Sequence, residues 1–513
     1  MCADGLAGRN RLSYNSALRM TTFHILNFGC RASQADGAAL KQQLLQAGLS
    51  EAGTADESQI AILNTCTVTA TADAEVRQFV RRIHRRNPQC RILVTGCYAQ
   101  RAPQEIARLE GVTWVVGNSH KHLVSTLLAE SGDRVTGSSG EQKPSRVPVD
   151  TQPLQAATPL VQIQGPPIHS PDHPISRSAD STDPVVLVGE ISEEFHFAPA
   201  FPDDRTRPTL KIQDGCNARC AFCVIPAVRG PSRSLAPERV LAEVRQLEEA
   251  GYQEVVLSGI NLGSYGRDLD GRVNFLGILE RILGETSLAR LRISSIEPMD
   301  VSAALIRLVA QEPRLAQHFH VPLQSGCDRI LRRMNRRYWA RQYAERILAI
   351  QEQIPNCGIG ADVMVGFPGE TDQDHQQSLR FIESLPYTYL HIFPYSARPG
   401  TPAAAAAAQV NGRVARERSQ EIRAVMAAKR QDFLAAQVGR SLPAVTLDET
   451  DEDARVALTT NYLKVTLPGS DAPANRLVKV VVGRATSGKL FGYVRQSVQS
   501  DMEAAFDATS HGL

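Results

Sequence analysis

The sequence has 513 residues, of which 42% are hydrophobic, and its formal net charge is +2. This length allows about three domains with sizeable cores. The near-neutral charge excludes a uniformly basic surface for nucleic acid, so any such contact must be a local patch. Ten cysteines are too few for a disulfide scaffold of this size. No apolar run approaches the roughly 20 residues of a membrane span, and the first twenty residues lack the apolar segment of a secretory signal. We therefore expect a cytoplasmic protein with no membrane partner.

Three short apolar runs near the beginning of the chain each end in a cysteine. They cover 23–29, 60–65 and 91–96, and they lead to Cys30, Cys66 and Cys97. Each is followed by a helical stretch, which is typical of βα units in a parallel sheet. Because parallel strands end at one edge of the sheet, the pattern predicts that these three thiolates converge there as metal ligands of a cluster. Three unrelated buried cysteines are the alternative.

The interval 131–190 differs in composition from the segments on either side. It is rich in proline, serine, glycine, aspartate and glutamine, with turn-forming clusters at 165–167 and 170–174. Such a segment cannot bury enough apolar surface to fold alone. We therefore predict a flexible linker at 131–190, between a first domain at 20–130 and a second at 205–435.

The second predicted domain again alternates short apolar strands with helical segments. Six strands are predicted, at 210–212, 254–259, 290–295, 318–321, 360–366 and 389–393. This alternation favours an α/β fold, a partial (β/α)6 barrel. In barrels of this kind the chemistry lies at the carboxyl ends of the strands.

A loop after the first of these strands contains Cys216, Cys220 and Cys223. Thiolates suit zinc or iron–sulfur clusters, but structural zinc takes four protein ligands, usually as two pairs. A 4Fe-4S cluster needs one thiolate per iron, so three cysteines leave one iron open to a small molecule. A zinc site completed by a distant ligand is the alternative, and the aromatic Phe222 before the last cysteine argues against it.

Short polar and glycine motifs follow three later strands of the same domain. They contain Gly259 and Asn261, Ser295 and Glu297, and Gly366. Glycine permits close approach of the backbone to a ligand, and the polar groups suit a ribose or an amine. A structural turn explains any one of these motifs, but their shared position at strand ends favours a ligand pocket.

The last predicted domain, 438–500, consists of five short strands, at 441–446, 454–460, 463–467, 478–482 and 490–494. Small barrels of this kind often bind nucleic acid, and local positive charge comes from Arg476, Lys479, Arg484 and Lys489. A second basic patch, 332–339, mixes arginines with aromatics, as RNA-binding surfaces do. A structural appendage and a charged helix end are the respective alternatives.

Several stretches of the sequence resemble the radical S-adenosylmethionine (SAM) methylthiotransferases. The C-x3-C-x-(aromatic)-C loop at 216–223 is similar to the cluster loop of radical SAM enzymes, and further matching stretches lie at 64–69, 96–100, 211–216, 322–326, 391–396 and 398–402. The resemblance covers 22–130 and 190–500. Within the family, 211–216 and 391–402 are similar to the subgroup that adds a methylthio group to N6-threonylcarbamoyladenosine beside the tRNA anticodon. Ser33, where the family has Asn, and the linker depart from the pattern.

The resemblance implies a transferase with two 4Fe-4S clusters and SAM as cofactors. One cluster would be held by Cys30, Cys66 and Cys97, and the other by Cys216, Cys220 and Cys223. The SAM pocket would comprise Phe222, Gly259, Asn261, Ser295, Glu297, Gln324, Gly366 and Tyr395. The implied partners are tRNA and an electron donor of flavodoxin or ferredoxin type, with no DNA, and 438–500 would be a TRAM-like RNA-binding domain.

Three alternative functions remain open at this point. The same motifs suit a methylthiotransferase that acts on isopentenyladenosine in tRNA, or one that acts on an aspartate of a ribosomal protein. A nucleic-acid-binding module with structural zinc is the alternative outside enzymology.

Overall fold

Three β-sheet units follow one another along the chain in a computed structural model that describes residues 21–132, 183–191, 206–271, 273–486 and 488–495. Most of the predicted linker, 133–182, lies outside the described residues. The predicted fold class is confirmed: a parallel α/β sheet, a partial α/β barrel and a small β-barrel.

The first unit is a six-stranded parallel sheet in the order β2-β1-β3-β4-β5-β6. Its strands are β1 (Thr22–Asn27), β2 (Ser50–Glu51), β3 (Ile60–Thr65), β4 (Arg91–Gly96), β5 (Val112–Gly117) and β6 (Val185–Leu187). Its helices are α1 (Arg31–Gln46), α2 (Ala70–Arg86), α3 (Cys97–Arg101), α4 (Pro103–Ala107) and α5 (Val124–Gly132). The fully buried β3 supplies alternate side chains to two cores, with Ile60 and Ile62 in one and Ala61 and Leu63 in the other. Helices therefore cover both faces of the sheet.

Strand β6 lies within the range that the composition predicted to be linker. Its apolar triplet Val185–Leu187 pairs in parallel with Trp114–Val116 of β5 and extends the first sheet by one edge strand. The predicted linker therefore extends too far at its carboxyl end, because three apolar residues are enough to pair with an open sheet edge.

The second unit contains the six predicted strands as two sheets, β10-β9-β7-β8 and β11-β12-β13. Parallel bridges between Leu291 and Leu315 and between Ser295 and His320 join the sheets into one partial barrel. Its strands are β7 (Thr209–Asp214), β8 (Arg233–Ser234), β9 (Glu254–Gly259), β10 (Arg290–Ile293), β11 (His318–His320), β12 (Gly358–Val365) and β13 (Tyr389–Pro394). The short antiparallel β8 was not predicted.

Most helices of the second unit pack their apolar faces against the barrel, while α6 packs against Cys97 of the first unit. They are α6 (Ile225–Arg229), α7 (Pro237–Glu249), α8 (Phe275–Glu285), α9 (Ala303–Gln311), α10 (Asp328–Arg333), α11 (Ala340–Gln353), α12 (Asp372–Ser384) and α13 (Gly412–Ala435). Side-chain caps mark the start of several of them, with Asn274 before α8 and Ser302 before α9. Helix α1 of the first unit packs against β7 and β9, so the first unit lies directly against the barrel.

The third unit is a closed five-stranded barrel in the order β14-β15-β16-β18-β17. Its strands are β14 (Ser441–Asp451), β15 (Ala454–Thr459), β16 (Lys464–Leu467), β17 (Leu477–Thr486) and β18 (Lys489–Val494). Arg292 of β10 donates hydrogen bonds to the carbonyls of Thr459 and Thr460 at 3.0 and 3.1 Å. A side chain at Gly358 would collide with the carbonyl of Asn461. The third unit is therefore docked at the amino ends of the second barrel's strands.

Candidate functional site

Hydrogen-bond donors from the loop between β7 and α6 and from Arg336 point at the sulfur atoms of this loop. The Ala218 amide donates to Cys216 Sγ at 3.4 Å, and Arg336 Nη1 donates to Cys220 Sγ at 3.3 Å. Gly215 has φ +71°, and a Cβ there would collide with the Pro231 carbonyl, so the turn into the loop requires glycine. Donors aimed at a sulfur favour its thiolate form.

Burial opposes that thiolate form in the absence of a metal. It raises the pKa of Cys216, and together with the neighbouring Cys220 and Cys216 thiols it raises the pKa of Cys223 to about 12. All three are free cysteines. Metal coordination deprotonates such thiols, so a half-buried trio with sulfur-directed donors fits a cluster that three protein thiolates hold.

The three cysteines of the first unit converge as the parallel register requires. Cys30, Cys66 and Cys97 follow β1, β3 and β4, whose last residues lie side by side in the sheet. A Cβ on Gly29 would collide with Cys66. Burial raises the pKa of Cys66 to about 12, with smaller contributions from the nearby thiols of Cys97 and Cys30. Cys30 is exposed while the other two are buried, so this trio also fits a cluster with one accessible side.

Arg229, the last residue of α6, connects the two sets of cysteines. Its Nε donates to Cys97 Sγ at 3.3 Å, and its Nη1 donates to both carboxylate oxygens of Asp214 at 3.0 Å. Helix α6 begins two residues after Cys223. One short segment therefore carries a cysteine of one set and a cation that contacts the other set.

A buried ionic network surrounds Arg229 where the first unit meets the barrel. Asp36 of α1 accepts from Arg229 Nη2 at 2.9 Å and from Lys121 Nζ at 3.2 Å, and it also pairs with Lys211 of β7. Burial alone would raise the pKa of Asp36, but these three cations outweigh burial and hold the pKa well below its usual value. The network fixes α1, and hence the segment after Cys30, against β7.

A cavity of about 350 Å³ opens beside Cys220. Its wall includes Asn261, Glu297, Arg336 and Tyr338. Arg336 pairs with Glu297 and lies 5.0 Å from the centre of the Tyr338 ring. Asn261 Oδ1 is buried and accepts no hydrogen bond from the described residues. The cavity thus offers a cation, a carboxylate and an unpaired amide oxygen next to a thiol trio, which suits a polar ligand with amino and carboxylate groups.

The predicted SAM-pocket residues divide into three groups in the structure. Asn261 and Glu297 line the cavity. Phe222 and Tyr395 both pack against Phe367, with ring centres 6.5 and 5.6 Å away, and support the cysteine loop. The remaining four, which are not part of the cavity wall, are Gly259, Ser295, Gln324 and Gly366.

Other contacts account for the positions of these four residues. Gly259 packs against Gln213, and a Cβ on Gly366 would lie 2.7 Å from the Cβ of Ala415 in α13. The hydroxyl of Ser295 bonds to His320 Nδ1 at 2.7 Å. Gln324 has φ +64° and continues the pairing with β12. Their cofactor role therefore stays a prediction.

The basic patch at 332–339 is split between the barrel interior and the surface. Arg336 and Tyr338 belong to the cavity wall, and Arg333 donates to the Pro368 carbonyl at 3.1 Å. Arg332 and Trp339 remain exposed, with the guanidinium 5.3 Å from the ring centre. The left-handed backbone conformation of Asn335, φ +56°, separates the residues before it from Arg336 and Tyr338 in the cavity wall. Part of the patch predicted for RNA therefore lines the cavity beside Cys220, while Arg332, Arg333 and Trp339 are exposed.

Nothing in the sequence pattern singles out Arg229, and the sequence predicts no role for Asp36, which stands where the family pattern has Glu. Asp214 and Lys211 lie in the family-like stretch 211–216, but that resemblance implies no role for either residue. Lys211 and Asp214 are the two charged residues of β7, which also contains the polar residues Thr209 and Gln213. Arg229 has no recognisable signal in the sequence, because its contacts depend on how α6 docks against the first unit.

Both halves of this site match known families. Residues 210–382 match the radical SAM superfamily, and residues 22–117 match the family described as uncharacterized protein family UPF0004. The threonylcarbamoyladenosine tRNA methylthiotransferase MtaB of Bacillus subtilis (strain 168) is 33% identical over 468 residues, 90% of this chain and 93% of that protein. The chain belongs to the radical SAM methylthiotransferase family. MtaB of Aquifex aeolicus (strain VF5) is 34% identical and covers 88% of this chain and 98% of its own length.

Membership of the radical SAM methylthiotransferases confirms that the protein is a transferase with 4Fe-4S and SAM cofactors, and it decides against the zinc alternatives. The tRNA-2-methylthio-N(6)-dimethylallyladenosine synthase of Desulfitobacterium hafniense (strain Y51) is also similar, at 29% identity over 92% of this chain and 96% of that protein. The radical SAM methyltransferase TsrM from Kitasatospora setae has a TM-score of 0.48 at 14% identity, and the match covers 75% of this chain and 74% of TsrM. None of the described helices is long and apolar enough to cross a membrane.

Proposed function

We propose that this protein transfers a methylthio group to C2 of N6-threonylcarbamoyladenosine next to the anticodon of tRNA. The observation that supports the reaction type is the contact of Arg229 with Cys97, because Arg229 ends the short helix α6, which begins two residues after Cys223. The choice of substrate is supported by the two relatives of that name, at 33 and 34% identity over most of the chain, against 29% for the dimethylallyladenosine synthase.

In this proposal each cysteine set holds one 4Fe-4S cluster. Cys216, Cys220 and Cys223 hold the cluster that binds SAM, and Cys30, Cys66 and Cys97 hold the auxiliary cluster. When bound, these groups would supply the radical that abstracts hydrogen from C2 of the adenine and the sulfur that replaces it, and a second SAM molecule would supply the methyl group on that sulfur. Asn261, Glu297 and Arg336 orient SAM in the cavity, and Arg229 fixes the spacing of the two sets.

The remaining parts of the proposal concern substrate access and location. The third unit, with the predicted range 438–500, acts as a TRAM-like RNA-binding domain beside the radical SAM domain. A flavodoxin or ferredoxin supplies electrons, and the enzyme acts in the cytoplasm, where tRNA is modified. Extrusion of the target base from its stack is required before C2 can be reached.

The test is a choice between substrates by the purified, reconstituted enzyme. Anticodon stem-loops that carry either threonylcarbamoyl or dimethylallyl adenosine are offered separately, with a ribosomal protein that contains the candidate aspartate as a third arm. Mass spectrometry measures the methylthio product. We expect product on the threonylcarbamoyl stem-loop, and turnover confined to either of the other arms would overturn the assignment.

A further inference from the structure

The interior of the second barrel contains polar side chains that the two cysteine sets do not use. His320, Asp362 and His391 come from β11, β12 and β13, and their polar atoms lie within 4.8 Å of one another. His320 is buried, Asp362 is half-buried and His391 is exposed, so the group opens to solvent on the side of His391. The Ser295 hydroxyl holds Nδ1 of His320, so that Nε2 points toward Asp362 Oδ1, 3.4 Å away. His320 is only 8% exposed, and its Nε2 has no hydrogen-bond partner among the described residues.

Arg31 enters the same interior from the first unit. Its Nη2 donates to the Tyr462 hydroxyl at 3.0 Å, while its buried Nη1 makes no hydrogen bond in the part of the chain that the structure describes. Tyr462 belongs to the third unit and packs on His318 and Tyr389 at ring distances of 4.4 and 5.6 Å. All three units therefore contribute to this interior, and Arg31 directly follows Cys30, a predicted cluster ligand.

The charges of this interior favour an anion over a metal cation. Arg207, Arg290 and Arg292 all pair with the single carboxylate of Glu254. Burial, followed by the charges of Arg292 and Arg31, lowers the pKa of the adjacent His318. Burial lowers the pKa of His391, and His320 and Arg31 contribute to that shift, which Asp362 opposes. Cations outnumber carboxylates, so a divalent metal on the two histidines and Asp362 would be repelled and a carboxylate attracted.

We infer that Arg31, His320, Asp362 and His391, the polar barrel cluster, bind the carboxylate-bearing substituent on N6 of the substrate adenine. The inference rests on the proposed function and names the residues that select its substrate. Arg31 Nη1 binds the carboxylate, and the imidazoles and Asp362 bind the hydroxyl and amide groups. An apolar dimethylallyl group would leave Arg31 Nη1 and His320 Nε2 buried without partners, and a site built for hydrogen bonds rejects such analogues strongly.

The position of the cluster also suits the reaction. Since Arg31 and Cys30 are adjacent in the chain, a substituent held by Arg31 anchors the adenine beside the auxiliary cysteines. The strand that carries His320 continues into Pro322 and Leu323, whose carbonyls accept hydrogen bonds from the Tyr338 hydroxyl in the wall of the cavity beside Cys220. The polar barrel cluster therefore holds the substituent while the ring is left between the two cysteine sets.

The test compares three variants on matched stem-loops. Arg31→Met and His391→Gln remove parts of the cluster, and Arg341→Met is the control, since Arg341 is exposed on α11 and pairs with Glu345 of the same helix. Each reconstituted protein is offered stem-loops whose threonylcarbamoyl group carries a free carboxylate or the corresponding carboxamide, and a dimethylallyl stem-loop. Dissociation constants, kcat/KM and iron content are measured.

We expect Arg31→Met to lower kcat/KM on the carboxylate substrate by roughly 10- to 100-fold, the range for removal of a charge-assisted hydrogen bond. On the carboxamide, wild type and Arg31→Met should be similarly poor, because the interaction is already absent. His391→Gln should weaken binding of the carboxylate substrate without loss of iron. Because His391 is far from Cys30 in the chain, His391→Gln tests the inference even if Arg31→Met disturbs Cys30.

Several results would overturn the inference. The first is an equal loss of kcat/KM on the carboxylate and the carboxamide substrates, and the second is a pair of variants that match Arg341→Met on both substrates. Either result would show that the cluster does not recognise the substituent. The proposed function would still stand if the wild type turned over the threonylcarbamoyl stem-loop. Wild-type turnover of the dimethylallyl stem-loop alone would overturn both the proposed function and the inference.

Discussion

A thiol buried beside two other thiols is protonated at neutral pH unless a metal holds it as thiolate. Cys66 and Cys223 are both in this position, since burial is the largest cause that raises each pKa to about 12. The loop at 216–223 could be recognised from spacing alone. The other trio could be predicted because all three cysteines follow parallel strands. The contact between Arg229 and Cys97 could not, since it spans 132 positions and depends on how α6 docks.

The two cysteine sets should therefore differ in what their loss removes. We expect the reconstituted wild type to hold roughly eight irons per chain, if each set holds a 4Fe-4S cluster. Cys220→Ala should abolish reductive cleavage of SAM, and Cys66→Ala should retain some cleavage but give no methylthiolated product. Both are measured by mass spectrometry of the small-molecule and nucleoside products.

Cys90→Ala is the matched control for these variants. Cys90 is also buried, but it precedes β4 and lies at the opposite edge of the sheet from Cys97. Its loss should leave iron content and product unchanged. Full product from Cys66→Ala, or iron content near four in the wild type, would contradict the division between the two sets.

At the scale of elements, alternation of apolar runs and helices predicted most strands but missed the six-residue β5 and three of the four shortest strands. Strands β2, β6 and β8 have two or three residues each, too few for a periodic signal. The packing of α1 against β7 was equally invisible, because it depends on charges from distant parts of the chain. Lys121 and Arg229 lie 85 and 193 positions from Asp36.

Asp36→Asn tests whether that charge network holds the first two units together. Asp36 is buried, and removing one partner of a buried ionic group leaves the others uncompensated. We expect the variant to lose about 3–5 kcal/mol of stability, measured by denaturant unfolding of the reconstituted protein. Asp56→Asn is the control, because Asp56 pairs with the exposed Arg86 outside the interface.

The pH dependence of this loss has a defined sign. Since the folded-state pKa of Asp36 lies below its unfolded value of 3.8, the stabilisation is complete above about pH 4 and is lost as the pH falls toward the folded pKa. The difference between wild type and Asp36→Asn should therefore be constant from about pH 8 to pH 5 and shrink below about pH 4. A difference that grew on acidification would show that Asp36 is not held as a carboxylate.

At the scale of the whole molecule, the order of the three units was predictable and their docking was not. Deleting the third unit would remove the carbonyl partners of Arg292 and the Tyr462 ring that packs on His318. Such a truncation would test the stability of the second barrel rather than the affinity for RNA. Substitution of exposed charges separates the two questions.

Lys479 and Arg484 are exposed on β17 of the third unit, and we expect Lys479→Gln/Arg484→Gln to weaken tRNA binding while SAM cleavage is retained. A cation bound to a phosphate contributes about 0.7–0.9 to the slope of log affinity against log salt, so the slope should fall by roughly one for each phosphate-bound cation that the substitutions remove. Fluorescence anisotropy between about 50 and 200 mM salt measures both quantities.

Lys464→Gln is the control, because Lys464 is exposed but already paired with Glu449. If the double variant had the same tRNA affinity and salt slope as Lys464→Gln, these two cations would not contact tRNA. The third unit would then serve only to dock at the base of the second barrel, and the positive charge that holds tRNA would have to come from the first two units.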